Sequence, residues 1–320
     1  MSLAISSHLG AHLGDQLGGV PHAVADDWWT RIFDFADYGA LLGLVQHSLV
    51  AGAVLGLVGG LVGVFVMQRD LAFAVHGISE LSFAGAAAAL LLSIDVMLGA
   101  VLGSVVAAVV IGLLGTRARD RNSIIGVLMP FGLGLGVLFL ALYPGRAANK
   151  FGLLTGQIVA VDSTRLSLFL VIAAVVVAGL LVMWRPLTFA SVDPDVAAAR
   201  GVPTRALGIG FMLLLGLAVA LAVQVVGALL VLSLLITPAA AATRVSASPV
   251  MVPVLSVVFA VTSAVGGILL ALGGSVPISP YVTTVSFVIY VVCRVLGDAR
   301  TRRGWARRAA AGEHEGTIAP

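Results

Sequence analysis

The chain has 320 residues, of which 60% are apolar and 10% charged, and its mean hydropathy is +1.11. A soluble domain carries about 25% charged residues, so this composition cannot cover a water-facing surface and lipid is the expected solvent. A single cysteine, Cys293, excludes an internal disulfide framework and a Cys-rich zinc site. A net charge of +3, with its arginines scattered between apolar runs, gives no sign of nucleic-acid binding.

Residues 1–40 are of mixed character, with His8, His12 and His22, acids at Asp15, Asp26 and Asp27, and the pair Trp28–Trp29 just ahead of an apolar run. They read as a non-spanning arm lying at the membrane interface. His8 and His12 have ligand spacing on a helix, but in such an arm they read as incidental. No basic start followed by an apolar run is present, so no cleavable leader is expected.

Beyond this arm, uncharged runs alternate with short basic stretches. The predicted spans are 41–67, 71–92, 96–115, 124–142, 166–184, 206–222, 225–243, 250–272 and 281–297, each near the roughly 20 residues needed to cross the hydrocarbon core. The uncharged run 206–243, with Gln224 near its middle, is divided into two spans joined by a tight turn. Residues 151–161 are too short to cross and read as re-entrant or interfacial. The predicted class is all-α, a polytopic transmembrane bundle of about 8–9 spans. Its permease domain covers 41–298, and 299–320 form a basic cytoplasmic tail.

Arginine placement sets the expected orientation. With nine spans and an outer amino terminus, one side receives Arg69, Arg117, Arg119, Arg121, Arg185, Arg200, Arg205, Arg244, Arg294, Arg300, Arg302, Arg303, Arg307 and Arg308. The other receives Arg31, Arg146, Lys150 and Arg165. This bias puts the first side, with the carboxy terminus, in the cytoplasm of a plasma (inner) membrane protein. Gly52, Gly56 and Gly60, with Gly59 and Gly63 beside them, and Gly99, Gly103 and Ala107 are spaced for close helix packing in lipid.

Chemistry concentrates in the second span. His76 and Glu80 are four residues apart and therefore share a helix face. A charged side chain within a span costs about 2.5–3.5 kcal/mol on insertion scales, so such pairs face a bundle interior or a polar path. Imidazole plus carboxylate is a competent ligand set for zinc or manganese, and two such pairs make four ligands. The competing reading is an internal His–Glu hydrogen bond. His47 at the outer end of the first span and Asp95 beyond the second are weaker candidates for the outer mouth. The segment Asp193-Pro194-Asp195 is a helix start and Gly201 followed by Pro203 a stop, predicting a helix of about seven residues on the cytoplasmic surface.

The stretches Arg69–Gly85, Asp193–Val202 and Gly227–Arg244, the last a Leu-rich span ending in Thr-Pro238-Ala-Ala, resemble the zinc- and manganese-uptake permeases of ABC transporters. The resemblance covers roughly residues 40–298. It implies a type II importer-like permease, working as a homodimer with two ATP-binding subunits and an extracytoplasmic metal-binding protein, with Zn2+ or Mn2+ as cargo and no resident cofactor. It also implies an ATPase-coupling helix at Asp193, Pro194, Ala197, Arg200 and Gly201. The family commonly has an aspartate followed four residues later by a histidine on the second span; here His76 comes first and Glu80 second. The tetrahedral suitability of this ligand set favours zinc over manganese.

A phosphate-cradling Gly-x-x-x-x-Gly-Lys-Ser/Thr loop is absent, because the one lysine, Lys150, is followed by Phe151. ATP drive is therefore expected from a partner, and the chain is not itself expected to be an enzyme. The alternatives are an ATP-independent metal transporter or channel, and an ABC permease for a chelated metal or vitamin cofactor. An intramembrane enzyme is disfavoured, since neither His-Glu-x-x-His nor Gly-x-Ser-x-Gly occurs.

Overall fold

The computed structural model describes residues 42–43, 45–115, 118–145, 152–153, 163–273 and 277–315. Residues 1–40, including His8 and His12, and nearly all of 151–161 lie outside the described residues. The elements are α1 (Gln46–Gln68), α2 (Ala72–Leu91), α3 (Val96–Leu114), α4 (Ala118–Leu142), α5 (Ser163–Val192) and the short α6 (Pro194–Ala199). They continue with α7 (Thr204–Val226), a 3₁₀ turn at Ala228–Leu230, α8 (Val231–Leu235), α9 (Thr237–Val245), α10 (Met251–Ala271) and α11 (Ile278–Glu315). Among the described residues there is no strand, and eight helices are long and apolar enough to cross a membrane. The predicted helical class holds.

The ends of the bundle can be traced from pairings between helices. Arg69, Arg121 and Arg205 line one cavity, and Val64 packs with Ala242 and Val252. A side chain added at Gly297 would meet the Arg244 carbonyl. These residues define a basic end. At the opposite end Asp95 pairs with Arg165 at 3.9 Å, Gln224 donates to the Val96 carbonyl at 3.4 Å, and Ser279 donates to the Val226 carbonyl at 2.6 Å.

The predicted span 225–243 is not one helix. Gly227 turns the chain with φ 85° and ψ 157°, a conformation that favours glycine, and Pro238 has no N–H to offer the Leu234 carbonyl. The segment nevertheless passes from one end to the other. Val226 is bonded to Ser279 at the start of α11, the Ser233 carbonyl accepts from Ser286 at 2.9 Å, and Arg244 lies beside Gly297. It is a broken segment, shorter than the eight helices long enough to cross a membrane, that runs from one end of the bundle to the other.

Two further boundaries differ from expectation. The fifth span, expected to end near residue 184, continues through Pro186 to Val192. At about 1.5 Å per residue its 30 residues exceed the ~30 Å hydrocarbon thickness, so its last turns stand beyond it. Packing of Met183 and Ala190 against Leu207 holds that extension despite the proline. The tail beyond 298, expected as a plain basic segment, continues α11 to Glu315, in keeping with its run of Ala, Arg and Glu, which are strong helix formers.

α1, α2 and α7 form the largely buried centre, while α4, α5 and α11 leave most of their surface outside. The glycine stripes are contact surfaces. A Cβ on Gly60 would lie 2.5 Å from Val257 Cα and one on Gly56 2.6 Å from Val261 Cα, so α1 and α10 meet backbone to backbone. Ser256 Oγ donates to the Gly60 carbonyl at 2.7 Å across the same contact.

Candidate metal path

α2 begins at Ala72, four residues after α1 ends at Gln68, through a turn in which Asp70 has φ 51°. This short turn starts α2 at the basic end, from where it runs packed against α3 and α4. His76 falls about 6 Å along α2 from the basic end and Glu80 about 12 Å, near mid-depth. Glu80 is buried, and α4 covers it at Gly132, where a Cβ would lie 3.0 Å from the Glu80 carbonyl carbon. The His76 side chain is 29% exposed.

His76 Nε2 stands 3.8 Å from Glu80 Oε1. That is longer than a hydrogen bond but within ion-pair range, so the two side chains face each other without a closed bond between them. His76 Nδ1 and Glu80 Oε2 are both buried without a hydrogen-bond partner. Leaving such an atom unpaired in a dry interior costs about 1–3 kcal/mol, a cost that an ordered water or an ion between the two side chains would relieve.

His76 opens onto a cavity of about 370 Å³. Ala72 and Phe73 line it on the α2 side; Leu232, Ser233, Ile236 and Thr237 line it on the broken span. The opening therefore faces the break itself. The Ser233 hydroxyl donates to the Leu230 carbonyl at 2.6 Å, leaving its lone pairs able to accept. The carbonyls of Leu234 and Leu235 pack against Gly59 and Gly63 of α1, where no side chain intervenes. Ser233, Ile236 and Thr237 were not singled out from the sequence. Gly227 and the Thr237-Pro238 step in an otherwise uninterrupted apolar run are the signals that could have found them.

The other candidates lie elsewhere. Asp95 caps α3, accepting from Met97 N at 2.9 Å and Leu98 N at 3.1 Å, besides its pairing with Arg165. His47 is exposed on the first turn of α1. Both sit at the end away from His76, and neither is brought to the His76–Glu80 pair. Among the described residues no group of three or more His, Cys, Asp or Glu side chains assembles within one chain.

The segment Asp193–Gly201 folds as a capped unit at the basic end. Asp193 caps α6 by accepting from Val196 N at 2.9 Å, and Pro194 occupies the first turn. Gly201, at φ 82°, donates to Ala198 O and Val202 N donates to Ala197 O, both at 3.0 Å. This pair of bonds is a Schellman closure. Ala197 is fully buried against Ala190 and Leu207, whereas Asp193, Asp195, Val196 and Arg200 face outward.

Comparison with known proteins follows the same outline. Residues 42–297 match the ABC 3 transport family. The chain is 31% identical over 225 residues to the manganese transport system membrane protein MntC of Halalkalibacterium halodurans, covering 70% of this chain and 77% of that protein. It is 26% identical over 246 residues to the high-affinity zinc uptake system membrane protein ZnuB of Haemophilus influenzae, covering 77% and 94%. The fold is similar to PsaBC from Streptococcus pneumoniae in complex with Fab, with TM-score 0.72, 26% identity and coverage of 81% of this chain and 95% of that one. With its matched region running from the first described residue to the end of the last span, the chain belongs to the ABC 3 transport family.

Proposed function

We propose that this chain is the permease subunit of an importer for a divalent transition metal, with His76 and Glu80 as ligands along the path. The carrying observation is the pair itself, with two buried polar atoms that have no hydrogen-bond partner and with the His76 side chain lining the cavity beside the broken span. Two ligands about 2.1 Å from one tetrahedral ion stand about 3.4 Å apart, so a small side-chain rotation from 3.8 Å brings both onto it. Two ligands are too few for a site, and a second copy of the permease supplies the other pair. The exposure of Phe73, one turn from His76, supports a partner at that face.

ATP-binding subunits supply the drive, since the chain has no Walker lysine. Asp193–Gly201 is their docking helix: it is rigidly closed at both ends and exposed between two long helices, which suits it to pass a push to α5 and α7. An extracytoplasmic metal-binding protein delivers the ion at the opposite end. The basic end faces the cytoplasm, with residues 41–298 as the permease domain. A cysteine placed at Thr317, with Cys293 replaced, should resist an impermeant thiol reagent in intact cells; labelling would reverse this orientation.

Two imidazoles and two carboxylates favour zinc. Manganese is the second reading, supported by the hydroxyls of Ser233 and Thr237 along the same cavity, because manganese prefers more oxygen ligands. Uptake of labelled zinc and manganese by cells carrying His76→Ala or Glu80→Ala tests both readings. Each variant should lose uptake while the protein remains in the membrane at wild-type level. Growth of both variants under zinc and manganese limitation would place the site elsewhere.

A further inference from the structure

At the basic end, away from the His76–Glu80 pair, a second cavity of about 490 Å³ lies between the ends of α1, α3, α4 and α7. Its lining is divided by chemistry. Arg69, Arg121, Arg205 and Thr204 supply cations and a hydroxyl, while Leu71, Ile111, Ile209 and Met212 form an apolar wall. Gly112, Gly115 and Gly208 leave the space between them open.

Three arginines in one cavity need a counter-charge. Arg69 Nη1 and Arg121 Nε are buried without a hydrogen-bond partner. Among the described residues neither guanidinium forms a salt bridge. Burial, reinforced by Arg121, holds the Arg69 guanidinium below its ordinary range, so the two cations repel each other. Asp70 offsets part of the Arg121 charge, but it and Asp120 are exposed to water and neither lines the cavity. A contact of Arg69 over the Phe211 ring, 5.9 Å from its centroid, offsets a small part of this charge.

We propose that this cavity binds a phosphate group, held by Arg69, Arg121 and Arg205 with Thr204 as a further donor. Guanidinium pairs match phosphate oxygens with bidentate geometry. The apolar wall beside the cations, at the depth where the helices end, fits an anionic phospholipid with its phosphate on the arginines and an acyl chain along Ile111, Ile209 and Met212. Basic clefts between spans on the cytoplasmic side take such headgroups. A soluble phosphate shares the headgroup chemistry and lacks the chain. The site touches α1, α4 and α7 together, and Thr204 lies five residues after the end of α6 at Ala199, so its occupancy steadies the frame on which the short helix stands.

The test uses the full chain in nanodiscs of phosphatidylcholine alone, phosphatidylcholine with phosphatidylglycerol, or phosphatidylcholine with inorganic phosphate in the buffer. Phosphatidylglycerol is expected to raise Tm and to remain bound in native mass spectrometry. Arg121→Gln and Arg205→Gln should each weaken this response roughly tenfold or more, as expected for a lost charge-assisted bond. Arg165→Gln, at the opposite end, should respond as wild type. Arg205 is exposed, so its variant carries the test should Arg121→Gln fail to fold. Equal stabilisation by inorganic phosphate, lost in the same variants, keeps the anion site and assigns it to a soluble source. The proposal is overturned if wild type responds to neither anion, or if both variants respond unchanged. It is also overturned if the variants lose their ATP-binding subunit while keeping the lipid response, which would assign the arginines to an acidic surface of that partner.

Discussion

The contact between α1 and α10 and the cleft between α2 and the broken span are neighbouring parts of one bundle, built on opposite terms. Along α1 and α10 the helices are unbroken, Gly56 and Gly60 let the backbones touch, and Ser256 bonds to the Gly60 carbonyl. Across the cleft, Pro238 interrupts the helical ladder, and a buried glutamate and a half-buried histidine each hold a polar atom with no hydrogen-bond partner. In lipid, where no water relieves an unmet polar group, the first arrangement is a frame. The second is stable because the frame holds it, and the cost it carries is available to a ligand.

The sharpest separation of the two should come from Glu80→Gln and His76→Ala. Transport should fall by two orders of magnitude or more, in line with the loss of a metal ligand or its close support. Tm should change little, because Glu80→Gln keeps the size of the side chain while removing its buried charge, and His76→Ala removes a ring nitrogen with no partner. A large fall in Tm with transport retained would make the pair part of the frame. Gly60→Val should do the reverse of the ligand variants. Its Cβ meets the Val257 backbone at 2.5 Å, and overpacking of this kind costs about 3 kcal/mol. Detergent-solubilised protein should lose its folded fraction on size exclusion, whatever metal is present.

Smaller effects test how motion is passed between the regions. Gly201→Ala forces a Cβ into φ 82° at a cost of about 1 kcal/mol, which should lower Tm by a few degrees. With Arg200→Glu added, ATP hydrolysis should no longer respond to the permease. Co-purification and coupled hydrolysis identical to wild type would remove the docking role from α6. The smallest change in stability, within about 1 kcal/mol, is expected for Pro238→Ala, which gives the Leu234 carbonyl a donor. Uptake should nevertheless fall several-fold as the break straightens; full uptake would show that the break has no part in the path.

Much of this architecture is legible in the amino-acid order. Runs of about 20 uncharged residues located eight helices, and the Gly52–Gly56–Gly60 spacing marked a surface of close approach that is the α1–α10 contact. Asp193-Pro194 and Gly201 announced α6, because caps and positive-φ glycines act over a few residues. The i, i+4 spacing of His76 and Glu80 placed them on one face for the same reason. Local rules failed where distant packing competed with them. Pro186 reads as a helix end, yet α5 continues because Ala190 and Met183 find Leu207.

Hydropathy, capping and periodicity depend on neighbours within a turn or two, so the class of the protein, most of its spans and the shared face of His76 and Glu80 were determined by the sequence itself. The tertiary structure alone decided that 227–245 runs from end to end as a broken helix, that its break faces His76, and that Asp95 serves as a cap far from that pair. It also decided that Arg69, Arg121 and Arg205, drawn from three separate parts of the chain, close on one cavity. Those outcomes depend on which helices lie side by side. In lipid that choice is made by the fit of small residues against backbone, a property of pairs of surfaces that no single stretch of sequence contains.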